Sequence, residues 1–314
     1  MKNLSSFVAA AALVVAAPFN AANAAFSQMI NFGDSLSDTG NILIATGGAA
    51  PVAPNLPGRF SNGTTWNENL AADLGLAAPT ASLGGGTNFA WGGSRTSLPG
   101  SSAQPSAQAQ VGQYLASVGG VADPDALFTI MIGGNDLNAF DGVTYGAAEL
   151  TADAALIATL TQDLLNAGAQ NIIVSNVPDL SGAPIADGNE AATLFITDLF
   201  NNALAAAMAP LIGPNVAFLD AFAVSQAAVA GAPGNGFTNV DDACWDGVSA
   251  TFCANPDEYL FWDALHPTGA GHETIGEAAL AAALTLPSAV PVPAALPLFM
   301  TALAGFGAMR RLRK

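Results

Sequence analysis

The 314-residue chain is poor in the residues on which nucleic-acid and metal chemistry rely: seven Lys and Arg against 24 Asp and Glu, two His and two Cys. Five of the cations (Lys2, Arg310, Arg311, Arg313 and Lys314) sit at the ends. Arg59 and Arg95 are left in a body that holds all 24 acids, about 22 net negative charges. Such a body repels the phosphate backbone of DNA or RNA, so a nucleic-acid-binding role is excluded, and the charge favours solubility. The sequence has no C-x-x-C spacing, and two His with two Cys do not make a structural zinc site. The chain is read as using no metal and no organic cofactor. A Gly-x-Ser-x-Gly elbow is also missing, which excludes nucleophile placement of the α/β-hydrolase kind. No linker or internal repeat divides the middle of the chain.

Long apolar runs are confined to the two ends. Lys2, an apolar stretch from Phe7 to Ala17, and Ala22-Asn23-Ala24 form a secretion signal with a small-x-small cleavage site, so residues 1–24 are expected to be removed. At the other end, Pro287, Pro291, Pro293 and Pro297 precede an apolar run from Leu298 to Met309 and the basic Arg310-Arg311-Leu312-Arg313-Lys314. That run is short against the ~20 residues of a permanent span, which predicts a transient inner-membrane anchor with its basic end in the cytoplasm. The string Val290-Pro291-Val292-Pro293-Ala294-Ala295-Leu296-Pro297-Leu298-Phe299 resembles the PEP-CTERM sorting tails of Gram-negative bacteria, with Val-Pro-Val-Pro where the commonest form has Pro-Glu-Pro. The resemblance implies handling of 287–314 by an exosortase-type machinery. It also implies export to the extracellular space or the cell surface. In such an exported chain Cys244 and Cys253 are expected to pair, closing a small ring worth roughly 2 to 3 kcal/mol.

About 260 residues remain between these ends. Short, nearly continuous apolar stretches at 126–132, 171–177 and 216–220 read as strands buried on both faces. Longer Ala/Leu segments at 147–167, 189–208 and 268–284 have helical spacing. The alternation predicts an α/β fold with parallel strands and helical crossovers, and a ligand site beyond the carboxyl ends of the strands. Stretches at 97–110 and 231–258 interrupt the pattern, and with the loop at 46–58 they are candidates for pocket walls.

Four short blocks stand out, two of them directly after such apolar stretches. Phe32-Gly33-Asp34-Ser35-Leu36 follows the apolar Met29-Ile30 and delivers a serine at a turn. A serine hydroxyl is a poor nucleophile until a base takes its proton, and only His266 and His272 suit that work at neutral pH. His266 lies in Asp263-Ala264-Leu265-His266-Pro267, where Asp263 stands at a spacing that lets it fix the imidazole tautomer. His272 has no such partner and reads as a structural residue at the exposed start of the last helix. Gly133-Gly134-Asn135-Asp136 follows the 126–132 strand and brings an amide donor, and Asn88-Phe89-Ala90-Trp91-Gly92-Gly93 is a second Gly-rich turn able to present a backbone N–H. Asp34 reads as part of the turn that aims Ser35.

In this order the four blocks resemble those of the GDSL (SGNH) hydrolase family, and Gly58-Arg59-Phe60-Ser61-Asn62-Gly63 with Trp66 is similar to a stretch of its secreted bacterial and plant members. The resemblance spans 33–267 and implies one hydrolase domain over 25–286. Its implied fold is a three-layer α/β/α sandwich with a central, mostly parallel, flavodoxin-like sheet. It further implies an esterase or lipase acting through an acyl-serine on a small-molecule or lipid ester. By that resemblance Ser35 is the nucleophile, His266 the base and then acid, and Asp263 its orienter; Ser35, Gly93 and Asn135 form the oxyanion hole. Gly92 can replace Gly93, since the two adjoin. An acyltransferase using the same acyl-enzyme, and a non-catalytic surface or matrix protein, remain as alternatives. Arg59 and Arg95 either meet an acidic substrate group or pair with a carboxylate.

Overall fold

The computed structural model describes residues 26–100, 104–232 and 234–287. The expected signal peptide and the 287–314 tail, apart from Pro287, therefore lie outside the described residues. In chain order the elements are β1 (Met29–Gly33), α1 (Asn41–Ala45), α2 (Trp66–Asp73), α3 (Ala107–Ser117), β2 (Leu127–Met131), α4 (Gly134–Asn138), α5 (Ala147–Asn166) and β3 (Asn171–Ser175). After these come α6 (Glu190–Met208), β4 (Val216–Leu219), α7 (Ala221–Gly231), β5 (Asn239–Ala243), β6 (Tyr259–Phe261) and α8 (Gly269–Ala283).

Strands β1 to β4 form one parallel sheet in sequential order. The expected strands at 126–132, 171–177 and 216–220 are its last three members. Alternate side chains leave each strand in opposite directions, so a strand covered on both faces must be apolar at nearly every position. On one face Phe32, Phe128, Ile130, Ile172 and Val174 pack with residues of α3, α5 and α6. On the other, Met29, Leu127, Met131, Ile173 and Leu219 pack with residues of α2 and α8. The result is a three-layer α/β/α sandwich.

Two features of the sheet position the site. The strands end in register, Gly33 opposite Met131, Met131 opposite Ser175 and Ser175 opposite Leu219. The turns that follow β1, β2 and β3 thus emerge at one edge. The free side of β1 is covered by the 87–91 segment, which bonds at Asn31 N to Thr87 O, Phe89 N to Asn31 O and Trp91 N to Gly33 O. This strap carries Gly92 and Gly93 to the same edge.

The 231–258 stretch, expected as a loop, contains β5, which pairs in parallel with β6 as a separate two-stranded sheet. Cys244 and Cys253 form a disulfide. Beside it Trp245 stacks on Trp262 at 5.7 Å between ring centres, and Phe252 meets Trp262 edge-on at 5.3 Å.

Candidate active site

Ser35 stands two residues beyond β1, in a turn closed by Ser37 N and Asp38 N on Asp34 O. Its Oγ lies 2.8 Å from His266 Nε2, and His266 Nδ1 lies 2.8 and 3.0 Å from the two Asp263 oxygens. An ionised carboxylate only accepts, so Nδ1 carries the ring proton and Nε2 is left to accept from the serine. Asp263 also accepts the backbone N–H groups of Leu265 and His266 at 2.9 and 2.7 Å. Burial works to raise this carboxyl, but the hydrogen bond and charge of His266, aided by those amides, hold it below the usual range. The loop is closed by Trp262 N on His266 O, and α8 starts directly after it, where Thr268 Oγ1 accepts from Gly271 N at 3.1 Å. Phe60 lies against the imidazole with ring centres 5.3 Å apart.

Asn135, in the first turn of α4, donates through Nδ2 to Ser94 O at 2.9 Å, which leaves its second amide hydrogen unengaged among the described residues. Gly133 before it has φ +129°, and a Cβ there would come within 2.6 Å of the Phe200 ring, so only glycine turns the chain at this point. Ser35, Asn135 and His266 line one pocket with Asp34, Leu36, Val177, Leu180 and Leu265. Asp263 stands behind His266. Gly93 joins from the side, through the bond between its neighbour Ser94 and Asn135.

The two glycines of the 88–93 block differ in what their amides do. Gly92 N–H is committed to Asp38 Oδ2 at 2.9 Å, and a Cβ on Gly92 would meet the Phe60 ring at 2.3 Å. No hydrogen bond engages the Gly93 or Ser35 amide among the described residues. Both remain able to donate to a ligand.

Both arginines of the body are paired. Arg59 bonds through Nε to Glu68 at 3.1 Å and through Nη2 to the same carboxylate, while Arg95 Nε meets Asp136 at 3.3 Å. Arg95 also lies over the Tyr145 ring at 4.1 Å. His272 is a correction: it is 1% exposed, with Nδ1 accepting from Trp66 N at 3.3 Å. Helix α2 packs over that face of α8, and burial drops the imidazole pKa to about 3. Its structural role stands; its exposure does not.

Several contacts that hold the site together carry no sequence signal of their own. Asp38 is fully buried and accepts from Gly40, Asn41, Ile42 and Gly92. Gln110 on α3 brackets Gly33, accepting from its N–H and donating to its C=O, both at 2.9 Å. Asp136 accepts from Thr96 N and Oγ1 at 3.0 and 2.9 Å and contacts Tyr145 Oη, which also bonds Asp153. Burial first, and then the Asp153 charge, push the Asp136 carboxyl upward. Asp34 is buried in the pocket wall beside Ser35; burial pushes its carboxyl up to about 7, against the pull of the Leu36 amide and the His266 charge. Among the described residues no group of three or more His, Cys, Asp or Glu side chains could hold a metal ion.

Residues 29–279 match the family described as GDSL-like Lipase/Acylhydrolase. The chain is 29% identical over 273 residues to the thermolabile hemolysin of Vibrio parahaemolyticus, covering 80% of this chain and 62% of that protein. It is 34% identical over 164 residues to the phosphatidylcholine-sterol acyltransferase of Aeromonas hydrophila, with 52% and 48% covered. Against acetylajmalan esterase 2 of Rauvolfia serpentina it is 27% identical over 324 residues, with 80% and 88% covered. The chain thus spans less than two thirds of the two bacterial relatives.

Proposed function

Since the chain belongs to the GDSL-like lipase/acylhydrolase family, we propose that it hydrolyses carboxylic esters through an acyl-serine intermediate. The observation that carries this reading is the bond of 2.8 Å between Ser35 Oγ and His266 Nε2, on an imidazole whose other nitrogen is held by Asp263. Ser35 Oγ attacks the ester carbonyl as its proton passes to His266 Nε2, and a C–O bond to Ser35 forms. In this reading the negative charge that develops on the carbonyl oxygen is met by the Ser35 and Gly93 amides, which make no hydrogen bond among the described residues, and by the free Nδ2 hydrogen of Asn135. Collapse breaks the bond to the alcohol, which leaves with the proton from His266. Water then enters on the same side, gives a proton to His266, and releases the acid with Ser35 restored. Asp263 stabilises the imidazolium formed in each half.

The test is Ser35→Ala with an aryl acetate, at matched protein concentration. Turnover should fall to background, and an undiminished rate contradicts the mechanism. A second reading is favoured by the similarity to a protein named as an acyltransferase: the same acyl-enzyme passes its acyl group to an alcohol. Product analysis with a competing alcohol separates the two. Export, and sorting through the 287–314 tail, rest on the terminal sequence patterns; the masses of the mature chain ends test both.

A further inference from the structure

A second pocket adjoins the Ser35 cleft, and Leu36, Leu180 and Leu265 line both. Leu36 directly follows Ser35 and Leu265 directly precedes His266, so the shared wall is built from the neighbours of the reacting residues. Beyond it the pocket is lined by Pro178, Leu260 and Ile275, and it is narrow, with a cavity volume of about 40 Å³.

The polar side chains at its edge are already satisfied. Ser225 Oγ accepts from Asp179 N at 2.8 Å and donates to helix carbonyls of α7; Thr274 Oγ1 donates to Gly271 O at 2.8 Å. The Asp179 carboxylate is taken by Ser181 on one oxygen and Gln226 on the other. Apart from the Asp179 carboxylate at its rim, the side chains of this pocket offer no free hydrogen bond to a sugar or a charged headgroup. An alkyl chain is the ligand that loses nothing on entry.

An ester has two arms, and the chemistry assigns them. The alcohol departs and water takes its place, both exchanging protons with His266 Nε2, so that side must stay open to solvent. The acyl group remains bound through both halves of the reaction and gains from an enclosed site. We propose that the pocket beyond Leu36, Leu180 and Leu265 receives the alkyl end of the acyl group, so that the enzyme prefers acyl chains longer than acetyl. This rests on the acyl-serine reading above.

The experiment uses the folded chain with two ester series: one aryl alcohol acylated from acetyl to octanoyl, and acetate esterified with alcohols of rising length. In the first series kcat/KM should climb by about fourfold per added methylene until the pocket is full, and in the second it should stay nearly flat. Thr274→Phe, which fills the pocket from α8, should lower the octanoyl-to-acetyl ratio at least about tenfold. A flat acyl series, a climb confined to the alcohol series, or a ratio that Thr274→Phe does not change would each overturn the proposal. The wild-type series decides the matter even if that variant fails to fold. Failure of the acyl-serine reading looks different: no ester of either series would depend on Ser35.

Discussion

The Asp38 carboxylate accepts the Gly92 amide at 2.9 Å while its other contacts hold the amides of Gly40, Asn41 and Ile42. One buried side chain therefore ties the turn after Ser35 to the strap that carries Gly93. It also removes Gly92 from the set of amides free to meet a substrate. Asp38→Ala would leave these four N–H groups without their acceptor, each costing about 1 to 3 kcal/mol where water cannot enter. A loss of at least about 3 kcal/mol in chemical denaturation is expected, with turnover reduced in the remaining folded fraction. A variant as stable as wild type would show that the tie is dispensable.

Asn135 is held by Ser94 O through one amide hydrogen and presents the other. Asn135→Ala should lower kcat on the order of 10² to 10³ with KM little changed, because the bond it removes is made to charge that develops only in the transition state. Steady-state kinetics on one aryl ester measures this. A loss confined to KM would mean that Asn135 only binds ground-state substrate.

The buried Asp34 carboxyl has its pKa raised from the ordinary 3.8 to about 7. The folded state thus binds more protons than the unfolded between these values, and its stability falls as pH rises through that window. His272 acts oppositely: with its pKa lowered from 6.5 to about 3, its contribution is complete above 6.5 and is lost as pH falls toward 3. Comparing variants isolates the first effect. Between pH 5 and 8, Asp34→Asn should gain about 2 kcal/mol relative to wild type. Parallel pH profiles for the two proteins would contradict the assignment.

Trp262 begins the segment that carries Asp263 and His266. It is fully buried beneath Trp245, next to the Cys244–Cys253 disulfide, with its indole N–H on Asn55 Oδ1 at 2.9 Å. Replacing both cysteines with serine should cost roughly 2 to 3 kcal/mol and lower turnover, because the stack that seats Trp262 loosens. Thermal melts and ester kinetics on the double variant read the two effects separately. An unchanged rate would mean that the triad segment is held without the staple.

What could be read from the sequence is what lies close along the chain. Ser35, Asn135 and the Asp263–His266 pair each sit in a turn with its own glycines or its own carboxylate, and the strand ends deliver these turns to one edge. The tie of Asp38 to Gly92 and the role of Gln110 escaped because the partners lie 54 and 77 residues away, although the local bonds of Asp38 to Gly40, Asn41 and Ile42 are of the kind a turn carboxylate makes. Arg59 and Arg95 stayed undecided because no local pattern marks Glu68, nine residues on, or Asp136, 41 residues on, as their partners. His272 is different. It shares the buried face of α8 with Ile275, Gly276, Ala279 and Ala283, a helical spacing visible in the chain, but the neighbouring Glu273 and the glycines suggested a solvated helix start. The pairing of β5 with β6 was hidden because both strands are short and one of them, with two aspartates, is half exposed.

The central claim is that Ser35 is the one hydroxyl activated for attack. Incubation with a fluorescent alkyl phosphonate ester, followed by peptide mass mapping, tests it most directly. A single adduct on Ser35, formed at a rate that His266→Ala abolishes, is the predicted result; labelling at another residue, or none in a protein that still turns over esters, would contradict it.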